Sequence, residues 1–80
     1  MTKRQEVYSA IDGERAHQDG LNPKVLSIGE EIALALRYTN KALESWSDDF
    51  NPPEQEALAT LRKLAAICVR CMEHHGAPKR

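Results

Sequence analysis

The apolar residues of this chain recur three or four positions apart along almost its whole length, and nowhere do they alternate with polar residues. An α-helix repeats about every 3.6 residues and a strand every two, so this spacing is typical of helices and argues against a sheet. The chain has 80 residues, the size of one small domain. We therefore expect one all-α domain that spans residues 1–80.

The first predicted helix runs from about Lys3 to Asp19 and ends at turn-forming residues 20–23. Gly13 in its middle costs about 1 kcal/mol of helix propensity, so we expect a short helix that depends on contacts with the rest of the fold. Three of its apolar residues are predicted to face inwards: Val7, Ala10 and Ile11.

The second and third predicted helices begin at capping residues. Ser27 and Glu30 have the spacing of a capping box, so the second helix is expected from there to about Trp46. Asn51, followed by proline, caps the third helix, which is predicted to end at about His75 before a glycine. These two helices should form a long antiparallel hairpin, with the short N-terminal helix packed on it.

Two sets of apolar residues lie on different faces of the predicted hairpin. The larger set is predicted to form the core of the protomer and comprises Ile28, Ile32, Ala35, Leu36, Thr39, Leu43, Trp46, Ala57, Leu58, Leu61, Leu64, Ala65, Cys68 and Met72. The smaller set comprises Leu34, Tyr38, Ile67 and Cys71 on the flanks, beside Ala59, Ala66 and two arginines, Arg62 and Arg70. We expect the smaller set to form a homo-oligomer interface. The alternative is that the first helix or the turn at 47–51 covers it.

The charge balance limits the partners that this chain could bind. Lys and Arg total 11 against 12 Asp and Glu, for a net charge of −1. This balance gives no overall attraction to long nucleic acids or to an anionic membrane. No run of 18 apolar residues is present, and the first residues lack the apolar stretch of a secretory signal. We expect no membrane association and a cytoplasmic protein with reduced thiols.

Four potential metal ligands lie close together near the end of the third helix: Cys68, Cys71, His74 and His75. Structural zinc sites usually take a cysteine pair from a tight turn, whereas this pair lies within a helix. We therefore expect neither a metal nor another cofactor.

Glu30 and Glu31 resemble the start of the magnesium-binding pattern E-E-x-x-E of the all-α nucleotide pyrophosphohydrolases related to MazG. Leu34 occupies the third position of that pattern, so the set of oxygen ligands is incomplete. We interpret Glu30 as a capping residue and Glu31 as a solvated charge. A MazG-like pyrophosphohydrolase stays open as an alternative, although we expect no enzyme.

Three residues could together bind a nucleotide. The ring of Tyr8 lies at the edge of the inward face of the first helix, where a base could stack on it. Lys24 precedes the N-terminus of the second helix, where Ser27 and the free backbone N–H groups also favour a phosphate.

Two segments, residues 7–19 (VYSAIDGERAHQD) and residues 61–78 (LRKLAAICVRCMEHHGAP), resemble a family of small bacteriophage proteins. Members of this family include the anti-CBASS cyclic-nucleotide sponge. The resemblance implies an all-α homohexamer in the cytoplasm of the infected bacterial host. Such a protein binds cyclic dinucleotides and cyclic trinucleotides without cleaving them, so that the immune effector is never activated.

The resemblance also implies two ligand sites. It assigns the dinucleotide site, where protomers meet, to Tyr8, Lys24 and Ser27. It assigns the trinucleotide site, where three protomers converge, to Arg62 together with Gly76 and Pro78. A helical oligomer with a purely structural or adaptor role is a further alternative.

Overall fold

A computed structural model of the protein describes residues 2–21, 23–46 and 53–80. These residues form three helices: α1 (Lys3–Leu21), α2 (Ile28–Trp46) and α3 (Pro53–His75). No strand occurs in the described ranges, so the all-α prediction is confirmed. None of these helices combines the length and the apolarity needed to cross a membrane.

Helix α1 is not short, and this part of the prediction is wrong. It has 19 residues, as many as α2. A second capping box begins it: Gln5 N donates to Thr2 Oγ1 at 3.2 Å, and Thr2 N donates to Gln5 Oε1 at 2.8 Å. Gly13 has open space around the position of a β-carbon, so its cost is one of helix propensity alone. The cap helps to offset that cost.

The predicted cap of α2 is confirmed. Glu30 N donates to Ser27 Oγ at 3.1 Å, and Ser27 N donates to Glu30 Oε1 at 3.0 Å. Hydrogen bonds from the backbone and side chain of Ser27 lower the pKa of Glu30. The predicted cap of α3 at Asn51 lies outside the described residues.

Helix α3 ends as its sequence predicts. Gly76 adopts a φ of 112°, a conformation that residues with a β-carbon rarely adopt. Its N–H donates to Met72 O at 2.9 Å, which satisfies one of the last carbonyl groups of the helix.

Helix α3 packs against both other helices, whereas α1 and α2 have no close backbone contact within the described ranges. Residues early in α2 meet residues late in α3: Glu31 bonds to Arg70, and a ring nitrogen of His75 lies 2.8 Å from Leu26 O just before α2. Gln18 in α1 donates to Lys63 O at 3.3 Å. Helix α3 is therefore the central element on which the other two are placed.

Most of the predicted core faces outwards, so this part of the prediction is wrong; of its members, Ala57 is buried, and Ala35, Leu64 and Ala65 are half-buried. On α2, Ile32, Leu36 and Leu43 are 63%, 61% and 65% exposed. Most other members of the larger apolar set are also exposed: Ile28, Thr39, Trp46, Leu58, Leu61, Cys68 and Met72. Val7 of α1 is exposed too, while Ile11 is half-buried.

The smaller apolar set faces inwards instead, so it does not form the exposed interface predicted from the sequence. Ala66 and Ile67 are buried, and Leu34, Tyr38 and Cys71 are half-buried. Ala57, from the larger set, is buried as well. Glu31 lies on the same face of α2 as Leu34 and Tyr38, since these positions are three and seven residues apart. Glu31 forms an ion pair with Arg70 of α3. Helix α2 is therefore rotated so that Glu31 faces α3 and the apolar stripe of α2 faces outwards.

The surface of the chain is large for its mass. Its solvent-accessible area is 6325 Å², whereas a compact monomer of this mass exposes about 4,900 Å². The Cα radius of gyration is 13.6 Å, against about 12 Å for a compact domain of this length. Three helices around so few buried apolar residues leave an apolar surface that another chain could cover.

Candidate functional site

A charged pair lies at the centre of the contact between α2 and α3. Glu31 is 1% exposed and Arg70 is 5% exposed. The guanidinium binds both carboxylate oxygens, with Nε 2.8 Å from Oε2 and Nη2 2.5 Å from Oε1. The hydrogen bond with Glu31 raises the pKa of Arg70 above its ordinary value. Such two-pronged geometry fixes the relative rotation of the two helices.

A second charged group connects α1 to the end of α3. Arg15 is 6% exposed; its Nε donates to Glu73 Oε2 at 2.8 Å and its Nη2 to Oε1 at 3.0 Å. Its Nη1 donates to Asp19 Oδ1 at 3.0 Å. The hydrogen bond with Glu73 raises the pKa of Arg15, and the same bond lowers the pKa of Glu73. We call Arg15, Asp19, Glu31, Arg70 and Glu73 the charged core; Arg15, Glu31 and Arg70 are buried, whereas the side chains of Asp19 and Glu73 are 60% and 49% exposed.

The charged core changes the interpretation of the two glutamates at the start of α2. Glu31 is buried in a pair with Arg70, so its assignment as a solvated charge is wrong. Glu30 is engaged in the cap, as expected. Neither carboxylate is free to coordinate a cation, and the described ranges contain no group of three or more His, Cys, Asp or Glu residues that could hold a metal. Cys68 is exposed and Cys71 half-buried, both as free thiols.

The residues assigned to the dinucleotide site do not meet within one chain. Tyr8 is 63% exposed near the start of α1, and Lys24 is exposed beyond the other end of that helix. The helix rises about 20 Å between Tyr8 and Leu21. Val7, next to Tyr8, lines a cleft with Leu58 of α3, whereas Leu26, two residues after Lys24, contacts His75 at the other end of α3. Tyr8 and Lys24 of one chain therefore lie near opposite ends of α3.

Lys24 and Ser27 remain close together in sequence at the N-terminus of α2. The hydroxyl oxygen of Ser27 accepts a hydrogen bond from Glu30 N, and its own proton can still be donated. This end of the helix carries the positive end of the helix dipole, which favours an anion beside Lys24.

The residues assigned to the trinucleotide site are separated in the same way. Arg62 lies near the middle of α3, whereas Gly76 and Pro78 follow its end and are exposed. About 20 Å of helix separates Arg62 from Gly76. These groups could form one site only if they come from different chains.

Arg62 occupies the wall of a cleft between α1 and α3. The cleft has a volume of about 430 Å³ and is lined mainly by apolar residues: Val7, Ala10, Ile11, Leu58, Ala59, Leu61 and Ala65, with Gln55. Arg62 Nε donates to Glu14 Oε1 at 2.9 Å. The Arg62 side chain is 43% exposed, whereas that of Glu14 is 9% exposed.

Sequence reasoning missed Glu14 and the charged core. The sequence does contain a signal for the pair of Glu31 and Arg70. The two residues have opposite charges, and each lies on the helix face that carries the smaller apolar set, so they could meet if those faces pack together. Arg15 and Asp19 show the spacing of an ion pair within one helix turn. No comparable pattern in the sequence connects Glu14 to Arg62.

Comparisons with models of protein families, with curated proteins and with solved structures gave no match. The function is therefore inferred from the placement of these residues and from the resemblance of the two sequence segments.

Proposed function

We propose that this protein is a homo-oligomeric phage anti-defence protein that sequesters cyclic dinucleotides and cyclic trinucleotides without cleaving them. The observation that carries the proposal is the division of both assigned sites. Each site has one exposed part at one end of a helix and another part about 20 Å away. A closed ring of copies would bring the two parts together from neighbouring chains.

The exposed surface supports an association between copies. The accessible area of 6325 Å² exceeds that of a compact monomer of equal mass by about 1,400 Å², and a standard interface covers about 800 Å² of each partner. The excess is enough for at least one such interface on each chain. In this proposal α2 and α3 form an antiparallel hairpin, their exposed apolar stripes make the interfaces, and the ring is a hexamer.

The chemistry of the exposed groups suits small cyclic anions. The ring of Tyr8 would stack on a base, while Lys24 and the N-terminus of α2 in a neighbouring chain would bind a phosphate. Arg62, repeated by symmetry, would surround the three phosphates of a cyclic trinucleotide. The net charge of −1 does not oppose such a site, because the cations are local. The protein would act in the cytoplasm of the infected host.

Incubation of the purified protein with cyclic di- and trinucleotides, followed by denaturation and chromatography, tests the proposal directly. We expect tight binding and recovery of the intact cyclic compounds. Absence of binding at micromolar ligand would refute the proposal. Recovery of linear products would show an enzyme instead.

Substitutions separate the two sites. Tyr8→Ala should weaken dinucleotide binding by about 5- to 150-fold, because stacking on one base contributes about 1–3 kcal/mol. Lys24→Ala should also weaken it, through the lost phosphate contact, and both variants should leave trinucleotide binding intact. Arg62→Ala should have the opposite selectivity. Lys41→Ala and Arg37→Ala are matched controls, since both residues are exposed cations on α2. Equal losses from the controls would contradict the site assignments.

The two alternatives predict different results. A MazG-like pyrophosphohydrolase would release pyrophosphate in the presence of magnesium, but the pairing of Glu31 with Arg70 argues against that chemistry. A purely structural oligomer would assemble without any thermal shift upon addition of cyclic nucleotides.

A further inference from the structure

The hydrogen bond between Arg62 and Glu14 has a consequence for the proposed trinucleotide site. Arg62 is about half-exposed, and a solvent-exposed arginine usually samples many rotamers. Here its Nε–H is bound at 2.9 Å by a carboxylate whose side chain is only 9% exposed. One edge of the guanidinium is therefore attached to α1, although the residue itself belongs to α3.

The other donors of Arg62 are not engaged by any described residue. The guanidinium carries five N–H groups, of which Glu14 accepts one. The two terminal nitrogens make no hydrogen bond within the described ranges. Arg62 is also the one charged side chain among the described residues that line the 430 Å³ cleft between α1 and α3. The fork of donors is thus held in place and still able to bind an anion.

We infer that Glu14 is the positioning residue of the anion site: it fixes Arg62 through Nε so that both terminal nitrogens bind a phosphodiester of a cyclic trinucleotide. The inference rests on the proposed function. It gives α1, through Glu14, a role in trinucleotide binding, whereas Arg62 by itself would assign that role to α3 alone. Because the guanidinium is ordered before the ligand arrives, less side-chain entropy is lost upon binding.

The negative charge of Glu14 also affects the affinity for the trinucleotide, and it lowers that affinity instead of raising it. A carboxylate near a phosphate repels it, so the two effects of Glu14 must be measured separately. Glu14→Gln keeps an oxygen that accepts from Nε and removes the charge. Glu14→Ala removes both. Asp12→Asn is the matched control, because Asp12 is an exposed acidic residue of the same helix.

Titration calorimetry with cyclic triadenylate and with a cyclic dinucleotide tests the inference. Ordering of one long side chain corresponds to about a three- to tenfold change in Kd, so Glu14→Ala should bind the trinucleotide more weakly than Glu14→Gln by that factor. Glu14→Gln should stay within about twofold of wild type or bind more tightly, as should Asp12→Asn. Dinucleotide binding should not change in any of the three variants.

A ligand-free measurement accompanies the titration. The Nε–H proton of Arg62, observed by nuclear magnetic resonance, should exchange slowly in the wild type and in Glu14→Gln and rapidly in Glu14→Ala. If Glu14→Ala lowers the helix content, its binding data are set aside. The inference is then tested by trinucleotide binding of Glu14→Gln and by the exchange rate of the Arg62 Nε–H proton in the wild type and in Glu14→Gln. A rapidly exchanging wild-type proton overturns the inference.

The outcomes distinguish the inference from the proposed function. If the wild type binds cyclic triadenylate and Glu14→Ala binds it as tightly as Glu14→Gln does, the inference is wrong and the proposed function stands. Equal weakening by Glu14→Gln and Glu14→Ala also overturns it, because the hydrogen bond would then not be what matters. A wild type that binds no cyclic nucleotide refutes the proposed function and the inference together.

Discussion

Removal of the charge of Glu31 should destabilise the whole fold. Glu31→Gln keeps the shape of the side chain but leaves the guanidinium of Arg70, which is 5% exposed, without its counter-charge. Removal of one partner from a buried pair typically costs about 3–5 kcal/mol. A chain of this length has a total unfolding free energy of about 4–12 kcal/mol. We therefore expect the variant to lose at least about a quarter of its unfolding free energy, and to be unfolded if the wild type lies at the lower end of that range.

Urea denaturation followed by far-ultraviolet circular dichroism measures this loss. The samples must share one protein concentration, because association adds to the apparent stability. Glu6→Gln is the control, since Glu6 is an exposed glutamate of α1, and it should lose less than about 0.5 kcal/mol.

Replacement of both partners distinguishes the charge effect from a packing effect. Glu31→Met combined with Arg70→Met removes both buried charges, and such exchanges are often neutral or stabilising. We expect the double variant to recover most of the lost stability. A loss below about 1 kcal/mol in Glu31→Gln would refute the reasoning, because it would show that water, and not Glu31, compensates the charge of Arg70. A double variant less stable than either single variant would refute it too.

Two further predictions concern α1. The hydrogen bond with Arg15 holds the pKa of Glu73 in the folded protein below its ordinary value of 4.5. The ion pair therefore stabilises the fold fully above about pH 4.5, and this stabilisation is lost as the pH falls through the folded-state pKa of Glu73. The urea midpoint should therefore decrease below pH 4.5, and less steeply in Glu73→Gln; equal slopes would contradict this role of the pair. Gly13→Ala should raise the unfolding free energy by about 1 kcal/mol, because a β-carbon at Gly13 meets nothing within 4 Å; thermal unfolding checks this, and a lower midpoint would show that the position is in contact with a neighbour.

The helices themselves could be predicted from the sequence. The predicted ends lie within about two residues of the observed ones, because capping residues and glycines act locally. Ser27 and Gly76 bond to atoms only a few positions away, and such bonds need no knowledge of the rest of the fold.

The orientation of the helices could not be predicted in the same way. Hydrophobic periodicity identifies an apolar face, but it does not say whether that face is covered by the same chain or by another. The stripe that contains Ile32 and Leu36 is the larger apolar face, so periodicity alone predicts it in the core of the protomer and leaves the smaller face for an interface between copies. The pairing of Glu31 with Arg70 depends on two helices that are distant in sequence, and the energy of such a pair depends on its burial.

The assigned site residues show the same limit. Tyr8, Lys24 and Arg62 could be singled out by residue type and by resemblance, and all three are exposed. Their distances from one another could be obtained only from the fold. The separation of about 20 Å within each assigned site is what makes a neighbouring chain necessary in the proposed mechanism.

The charged core has a consequence for how such chains could diverge. Ion pairs with two hydrogen bonds are directional, so the arrangement of the three helices depends on a few internal residues. The outer apolar stripe is then free to change without loss of the fold. If copies associate through that stripe, as proposed, two related proteins with the same internal pairs and different stripes would fold alike but would not mix their subunits when produced in one cell.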